Sequence, residues 1–276
     1  MPPFRREGGI FPVTPPMTSP KTPLVSVITP ARNAAATLEA TIASVAAQSL
    51  PDWEMLVADD GSTDATPAIA AAWAARDPRV RPLPGPGREG PAAARNRAIR
   101  AARGRFLAFL DADDRWRPQK LARQLAFMQA TGSPFSFTAY AREDAAGREL
   151  GTVHAPARVD YASLLKGNVI GCLTAVCDRE HFGRVEMPDL PLRQDYALWL
   201  ELLRPGGEAR GLDEVLADYR VGGGATLSGS KLRAARGTWA VLRREGLSLP
   251  RALWCFGHYA ASGLRRRAQE RPSTRS

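Results

Sequence analysis

The sequence predicts an α/β fold built on a parallel, doubly wound sheet, and three observations carry that prediction. Strand-like apolar runs alternate with helical segments over roughly the first ninety residues after Pro23. Two of those runs stop abruptly in carboxylates, at Asp59-Asp60 and at Asp111, Asp113 and Asp114. The run before the second cluster, Phe106–Leu110, is Phe and Leu except at Ala108, as suits a strand covered on both faces.

Taken in order, Leu24–Thr29 (LVSVIT) is a β-rich run ending at Pro30, and Leu38, Ile42 and Val45 then recur at helical spacing. Trp53–Ala58 is the second strand, and the Ala-rich segment from Ala65 to Arg76 the second helix, with Pro67 tolerated in its first turn. Val80–Leu83 is a short third strand, Pro91–Arg103 a third helix stopped by Gly104, and Phe106–Leu110 a fourth strand. Beyond it, Gln119–Ala130 reads as helix, Phe135–Tyr140 as a strand that Arg148–His154 could pair with, and Thr174–Cys177 as a further short strand. Asp195–Arg204 is an amphipathic helix opening on an acid, Glu214–Val221 runs into Gly222–Gly224, and two helical segments follow from Lys231.

Charge is distributed unevenly. The formal net charge is +10, yet from Lys231 to Ser276 eleven Lys and Arg face only Glu245 and Glu270, so nearly all the excess lies in that segment. A nucleic-acid binder would spread basic residues over its folded face; this pattern is a basic tail on a neutral body. The expected organisation is a disordered lead over 1–22, one domain over 23–230 and a basic amphipathic tail over 231–276. Cys172, Cys177 and Cys255 lack zinc-ligand spacing and read as free thiols of a reducing compartment. No apolar stretch is long enough to span a bilayer, so a cytoplasmic protein, peripheral on the membrane at most, is expected.

Carboxylates crowded at a strand's carboxyl end repel one another unless a cation holds them, and Mg²⁺ or Mn²⁺ shared with substrate phosphates is the usual solution. Open α/β sheets bind ligands at that edge. Helix capping would need one carboxylate, for which Asp114 suffices, and not three. Asp59-Asp60-Gly61 could hydrogen-bond a base or ribose, or form an ordinary Asx/Gly turn. Gly85-Pro86-Gly87-Arg88-Glu89-Gly90 matches GxGxxG but follows the third strand, and Pro86 removes an N–H a pyrophosphate would need; it reads as a mobile loop, with a nicotinamide site the lesser alternative.

The segments PLVSVITPARN, ADDGSTD, GPAAARNRAI, GRFLAFLDADDRWRP and LRQDYALWLELL occur in the order and spacing of family 2 glycosyltransferases of the GT-A fold, and the resemblance covers about Pro23 to Ser230. GNVIGCLTAV, VLADYRV and LSGSKLRAARGTW further resemble bacterial enzymes of lipopolysaccharide O-antigen and capsule assembly. The resemblance implies a GT-A mixed sheet flanked by helices, and a nucleotide site formed by Thr29, Pro30, Asn33, Asp59 and Asp60. It maps a DxD element to Asp111-Ala112-Asp113, with Asp113 as metal ligand and Asp111 on the ribose or the ion's water shell. Arg95 and Asn96 would shape the sugar-nucleotide pocket, Asp195 would be the general base, and Arg220 or Lys231 would offset diphosphate charge. Arg32 stands where the family commonly has Tyr, and Gln194 where it commonly has a first acid.

The chemistry is consistent with that mapping. Transfer from a nucleotide diphosphate needs a Lewis acid on the leaving group and a base on the acceptor hydroxyl. Asp195, at a helix N-terminus whose dipole would keep it ionised, is either that base or a cap. One base without a second nucleophilic carboxylate implies a single inverting displacement, and the absence of QxxRW implies one sugar per encounter. The expected activity is therefore inverting transfer from a nucleotide sugar, UDP-linked by preference, to a lipid-linked or surface-glycan acceptor of envelope polysaccharide. A non-catalytic, membrane-associated nucleotide-binding module with a degenerate site is the competing class. The tail is either a solvated face or, with Trp239, Trp254, Phe256 and Tyr259 among its arginines, a surface for anionic headgroups.

Overall fold

The computed structural model describes residues 22–221 and 231–269, and for Lys231 and residues 262–269 only the backbone. The expected lead, Gly222–Gly224 and the end of the tail lie outside the described residues. Strands β1 (Val25–Ala31), β2 (Trp53–Asp59), β3 (Val80–Leu83) and β4 (Phe106–Phe109) alternate with helices α1 (Leu38–Ala46), α2 (Thr66–Arg76) and α3 (Pro91–Ala101). All four strands are parallel, in the order β3-β2-β1-β4. Val25, Val27, Met55 and Val57 join an apolar cluster on one face of the sheet, while Ile28, Leu56 and Phe109 join a cluster on the other. That period-two alternation between two buried faces is why each strand reads as one continuous apolar run.

The sheet then departs from the doubly wound expectation. After the two-residue strand β5 (Arg115–Trp116) and helix α4 (Lys120–Thr131) come β6 (Phe135–Glu143), β7 (Glu149–Val153), β8 (Arg158–Asp160) and α5 (Tyr161–Leu164). A 3₁₀ turn at Cys172–Thr174, β9 (Val176–Asp178), α6 (Arg179–Phe182), α7 (Gln194–Leu203) and β10 (Glu208–Arg220) complete the body. β9 is antiparallel to both β4 and β6, whereas β10 runs parallel to β6 and antiparallel to β5, so the sheet is mixed, as the family resemblance implies. β5, β8, α5 and α6 are too short to show a hydrophobic period, which is why the sequence did not announce them.

Gly104 is not the stop of α3. The helix ends at Ala101, and a Cβ at Gly104 would lie 2.6 Å from the backbone nitrogen of Ser26. Its glycine is required by the close approach of the α3–β4 connection to β1.

Helices α8 (Lys231–Arg244) and α9 (Leu249–Gln269) close the described chain. Val241, Leu242, Leu247, Ala252 and Cys255 are buried in the same cluster as Phe109 and Trp199, so the helical pair packs on the body. Trp239 and Phe256, expected to be available to headgroups, meet edge to face at 5.6 Å and pack against that cluster. This corrects the reading of the tail: of the four aromatics, Trp254 is the one classed as exposed.

Candidate active site

The acidic turn after β4 is held from below by α1. Thr37 and Thr41 donate their hydroxyls to the carbonyl of Ala112 at 2.8 and 3.0 Å, and Thr41 also reaches the carbonyl of Asp114 at 2.9 Å. Asp114 N–H donates to the carbonyl of Asp111 at 3.1 Å, closing the turn. Neither threonine was singled out from sequence, because hydroxyls at the start of a helix or inside it usually bond their own backbone.

Each of the three aspartates has a different fate. Asp111 pairs with the guanidinium of Arg95, a buried residue of α3. Asp113, half-buried, is pushed up to about 6 by burial and by the neighbouring Asp111, and Arg220 and Arg95 offset this only in part. Asp114 is buried; burial, then Asp113 and Asp111, hold its carboxyl well above the usual range while it accepts the backbone N–H of Arg220 at 3.0 Å. Asp114 therefore ties the end of β10 to the turn and does not cap α4, whose first flanking residue is Gln119. Arg220 faces the acids electrostatically from β10; the side chain of Lys231, the other cation suggested by sequence, lies outside the described residues.

Asp195 enters from α7. Trp199, one turn later on the same helical face, packs against Phe109 at 5.2 Å and Phe135 at 5.1 Å, anchoring α7 beside the strand that carries the acidic turn. The helix N-terminus is not the main influence on Asp195. Burial raises its pKa, and the Tyr196 backbone N–H, Arg95 and Arg193 do not fully offset that, while Asp111 adds to the rise. Arg95 is the common counter-ion: burial opposes its charge, but Asp111, Cys172 and Asp195 outweigh burial and its pKa lies above the ordinary arginine value. Cys172, half-buried, thus belongs to the wall between Asp111 and Asp195, although its sequence context gave no signal.

The nucleotide-side candidates form a second group across β1. Ala31 is in register with Asp59, and Ile28 with Phe109, so β1 lies between the two strands that end in carboxylates. Asn33, with φ 47°, receives the N–H of Thr63 at 2.9 Å and donates its own N–H to Ser62 Oγ at 3.0 Å, tying the loops after β1 and β2. Asp59 Oδ2 accepts the N–H of Ser62 at 3.1 Å, whereas its Oδ1 and Thr29 Oγ1 are buried without a hydrogen-bond partner. Orphaned buried oxygens of this kind fit a ligand's donors. Pro30 follows Thr29 in β1, in register with Ala58.

Asp60 is employed differently. Its Oδ1 accepts the N–H of Glu89 at 2.6 Å and of Gly90 at 2.8 Å, and Arg97 bridges Glu89 and the carbonyl of Asp59. Gly61, at φ 69°, lets Gly87 and Arg88 come within 2.8 Å of where its Cβ would stand. The GxGxxG segment is therefore strapped against the Asp59-Asp60-Gly61 turn, where a mobile loop had been expected. Asn96 also turns away from the acids: its amide donates to the carbonyl of Met187 at 2.8 Å and accepts the Met187 N–H at 2.7 Å. It fixes the segment leading to Asp195.

The acidic turn fits a divalent cation by its donor set. Among the described residues no group of three or more His, Cys, Asp or Glu forms a metal cage. Asp111 and Asp113 supply two carboxylates, the number a Mg²⁺-type site uses when substrate phosphates provide other oxygens.

Residues 26–175 match the family described as Glycosyl transferase family 2. A Bacillus subtilis (strain 168) protein, TuaG, whose name places it in teichuronic acid biosynthesis as a glycosyltransferase, is 44% identical over 247 residues, 89% of this chain and 98% of the relative. The Escherichia coli UDP-Glc:alpha-D-GlcNAc-diphosphoundecaprenol beta-1,3-glucosyltransferase WfaP is 34% identical over 87% of this chain and 94% of its own length. Among solved structures, S. aureus TarS 1-349 with UDP-GlcNAc superposes with a TM-score of 0.65 at 19% identity, covering 86% of this chain and 71% of that one. The Pyrobaculum calidifontis mannosyltransferase PcManGT with GDP-Man and Mn²⁺ gives 0.63 at 20% identity, covering 89% and 75%.

Proposed function

The chain belongs to glycosyl transferase family 2, and from that premise we propose that it moves one sugar, with inversion, from a UDP-sugar to a lipid-linked acceptor in envelope polysaccharide synthesis. The observation that carries this is the ion pair of Asp111 with the buried Arg95, whose charge also acts on Asp113 and Asp195. Relatives named for undecaprenol-diphosphate acceptors support the acceptor class, and a UDP-GlcNAc complex of the same fold supports the donor class. Lipopolysaccharide or O-antigen assembly is one setting for such an acceptor, and a peripheral position on the inner face of the cytoplasmic membrane follows from a lipid-linked one.

In this reading Thr29, Pro30, Asn33 and Asp59 line the nucleotide, with the Thr29 hydroxyl and Asp59 Oδ1 turned to ligand donors and Asp60 holding the strap beside them. Asp111 and Asp113, in a DxD element, would hold Mg²⁺ or Mn²⁺, which when bound neutralises charge on the leaving diphosphate. Arg95 orients Asp111 and Asn96 braces the approach to Asp195, while Arg220 adds positive charge opposite the acids. Asp195 accepts the proton of the acceptor hydroxyl as that oxygen attacks the anomeric carbon from the face opposite the departing UDP. A pKa raised by burial makes Asp195 a stronger base than a solvated carboxylate.

The test is a panel of nucleotide sugars with an undecaprenol-diphosphate-linked acceptor, read by product formation, on the wild-type chain and Asp195→Asn. Asp195→Asn should keep UDP-sugar binding and lose about 10²- to 10⁴-fold in kcat. Full activity of the variant would remove Asp195 from the base role, and indifference of the wild-type chain to every nucleotide would overturn the donor assignment.

A further inference from the structure

Beyond the transfer site, one surface collects features that the reaction does not use. Among the described residues, large exposed hydrophobics include Leu232 on α8, Leu249, Leu253 and Trp254 on α9, and Val169. Helix α9 already buries one apolar face, through Ala252 and Cys255, so Leu253 and Trp254 make a second apolar face that the described residues leave exposed.

Cations accompany that face. The Lys166 ammonium lies 5.2 Å from the Trp254 ring centroid, and both Lys166 and Arg251 act electrostatically on Cys255 of the same helix. His258 meets Trp254 edge to face at 4.4 Å, and Arg251 on the same helix is exposed. Of the nearby carboxylates, Glu245 is paired with Arg204, and Asp160 is occupied capping α5. Apolar side chains interleaved with Lys and Arg, whose aliphatic stems lie along apolar surface while their heads stay polar, match a lipid headgroup boundary better than the charge-depleted centre of a protein interface.

The same surface adjoins the active site by two routes. The segment from Lys166 to Cys172 runs from the Trp254 contact to the wall beside Asp111 and Asp195. On α8, a Cβ at Gly237 would lie 3.0 Å from Leu192 and 3.1 Å from Arg193, so the helix leans directly on the turn that introduces Asp195. No described helix is long and apolar enough to cross a membrane, which leaves surface docking as the mode of contact for these helices.

We propose that Leu249, Leu253 and Trp254 of α9, with Lys166, Val169 and Arg251 around them, are the surface by which this chain docks on an anionic lipid bilayer, bringing the Asp195 side of the site to the lipid-linked acceptor. The inference rests on the lipid-linked acceptor reading for its purpose, and its test is independent of transfer. The full chain is sedimented with vesicles of phosphatidylglycerol and phosphatidylcholine, and with phosphatidylcholine alone, at low and high salt. The wild-type chain sediments with the anionic vesicles, less so as salt rises. Leu253→Ser with Trp254→Ala, and separately Arg251→Glu, weaken that binding about tenfold or more. UDP-induced thermal stabilisation stays at the wild-type level in both variants, so a docking defect is distinguished from loss of fold or of donor binding. Wild-type vesicle affinity in both variants, or no binding by the wild-type chain, overturns the proposal. If the substitutions change the oligomeric state and leave vesicle binding intact, the face belongs to a second copy and the proposal is likewise overturned.

Discussion

Replacing Arg95 with Met keeps the length of the buried side chain and deletes the charge shared by three carboxylates. Arg95 leaves 9% of its side chain in solvent and Asp111 33%. Breaking a fully buried ion pair costs about 3–5 kcal/mol, but water can reach Asp111, so the cost here is discounted to about 1–3 kcal/mol. At roughly 2–4 °C per kcal/mol for a chain of this size, Tm should fall by roughly 2–12 °C in a thermal melt. The second consequence is electrostatic. Arg95 lowers the pKa of Asp195, so without it the carboxylate that must be ionised to act as base holds its proton to higher pH. The acid limb of the kcat/KM profile should therefore move upward, with the variant losing proportionally more activity than the wild-type chain as pH falls. Displacement of Asp111 should add a loss of about 10²-fold in kcat at the plateau, the scale of a 1 Å misplacement. A variant with unchanged Tm and a superimposable pH profile would refute the view of Arg95 as the common counter-ion.

Two further predictions follow from buried polar groups outside the reacting set. Asn96→Ala removes both hydrogen bonds to the Met187 backbone, so a loss of about 2–4 kcal/mol in denaturant unfolding is expected, with kcat reduced more than the KM for the UDP-sugar because the braced segment leads to Asp195. Equal falls in donor affinity and kcat would place Asn96 on the nucleotide side instead. Lys120 is wholly buried, its ammonium has no hydrogen-bond partner, and it lies 3.8 Å from the Trp116 ring centroid. Burial lowers its pKa well below the ordinary lysine value, so the unfolded chain binds a proton the folded chain does not. The resulting penalty is full below the folded pKa and fades as pH rises through that value toward about 10.4. Lys120→Met should thus be more stable by about 1–3 kcal/mol at pH 7, and the gain should shrink in unfolding experiments approaching pH 10; a destabilised variant at pH 7 would show that the contact with Trp116 outweighs desolvation.

The first half of the fold was legible because its strands are covered on both faces. Continuous runs such as Phe106–Leu110, broken by helices of clear period, leave few alternatives to a parallel sheet. The second half was less so, since β5 and β8 exist only through partners distant in sequence, Ala217 facing Trp116 and Ala209 facing Val159. A two- or three-residue strand has no period of its own to read. The tail shows the same limit: Trp254 and Phe256 are two positions apart on one helix, and only packing decided that Phe256 meets Trp239 while Trp254 stays exposed.

By itself, the sequence determined the α/β class, the two acidic strand ends and Asp195 as a lone acid opening an amphipathic helix, because residue type and local period are written in the chain. Tertiary structure decided what each acid does. It paired Arg95 with Asp111 within electrostatic reach of Asp195, turned Asp60 to the strap at Glu89 and Gly90, gave Asp114 to the backbone of Arg220, and raised the pKa of Asp195 by burial. The physical reason is that a carboxylate's role depends on the charges, donors and solvent that surround it, and here most of those arrive from segments that are far away along the chain.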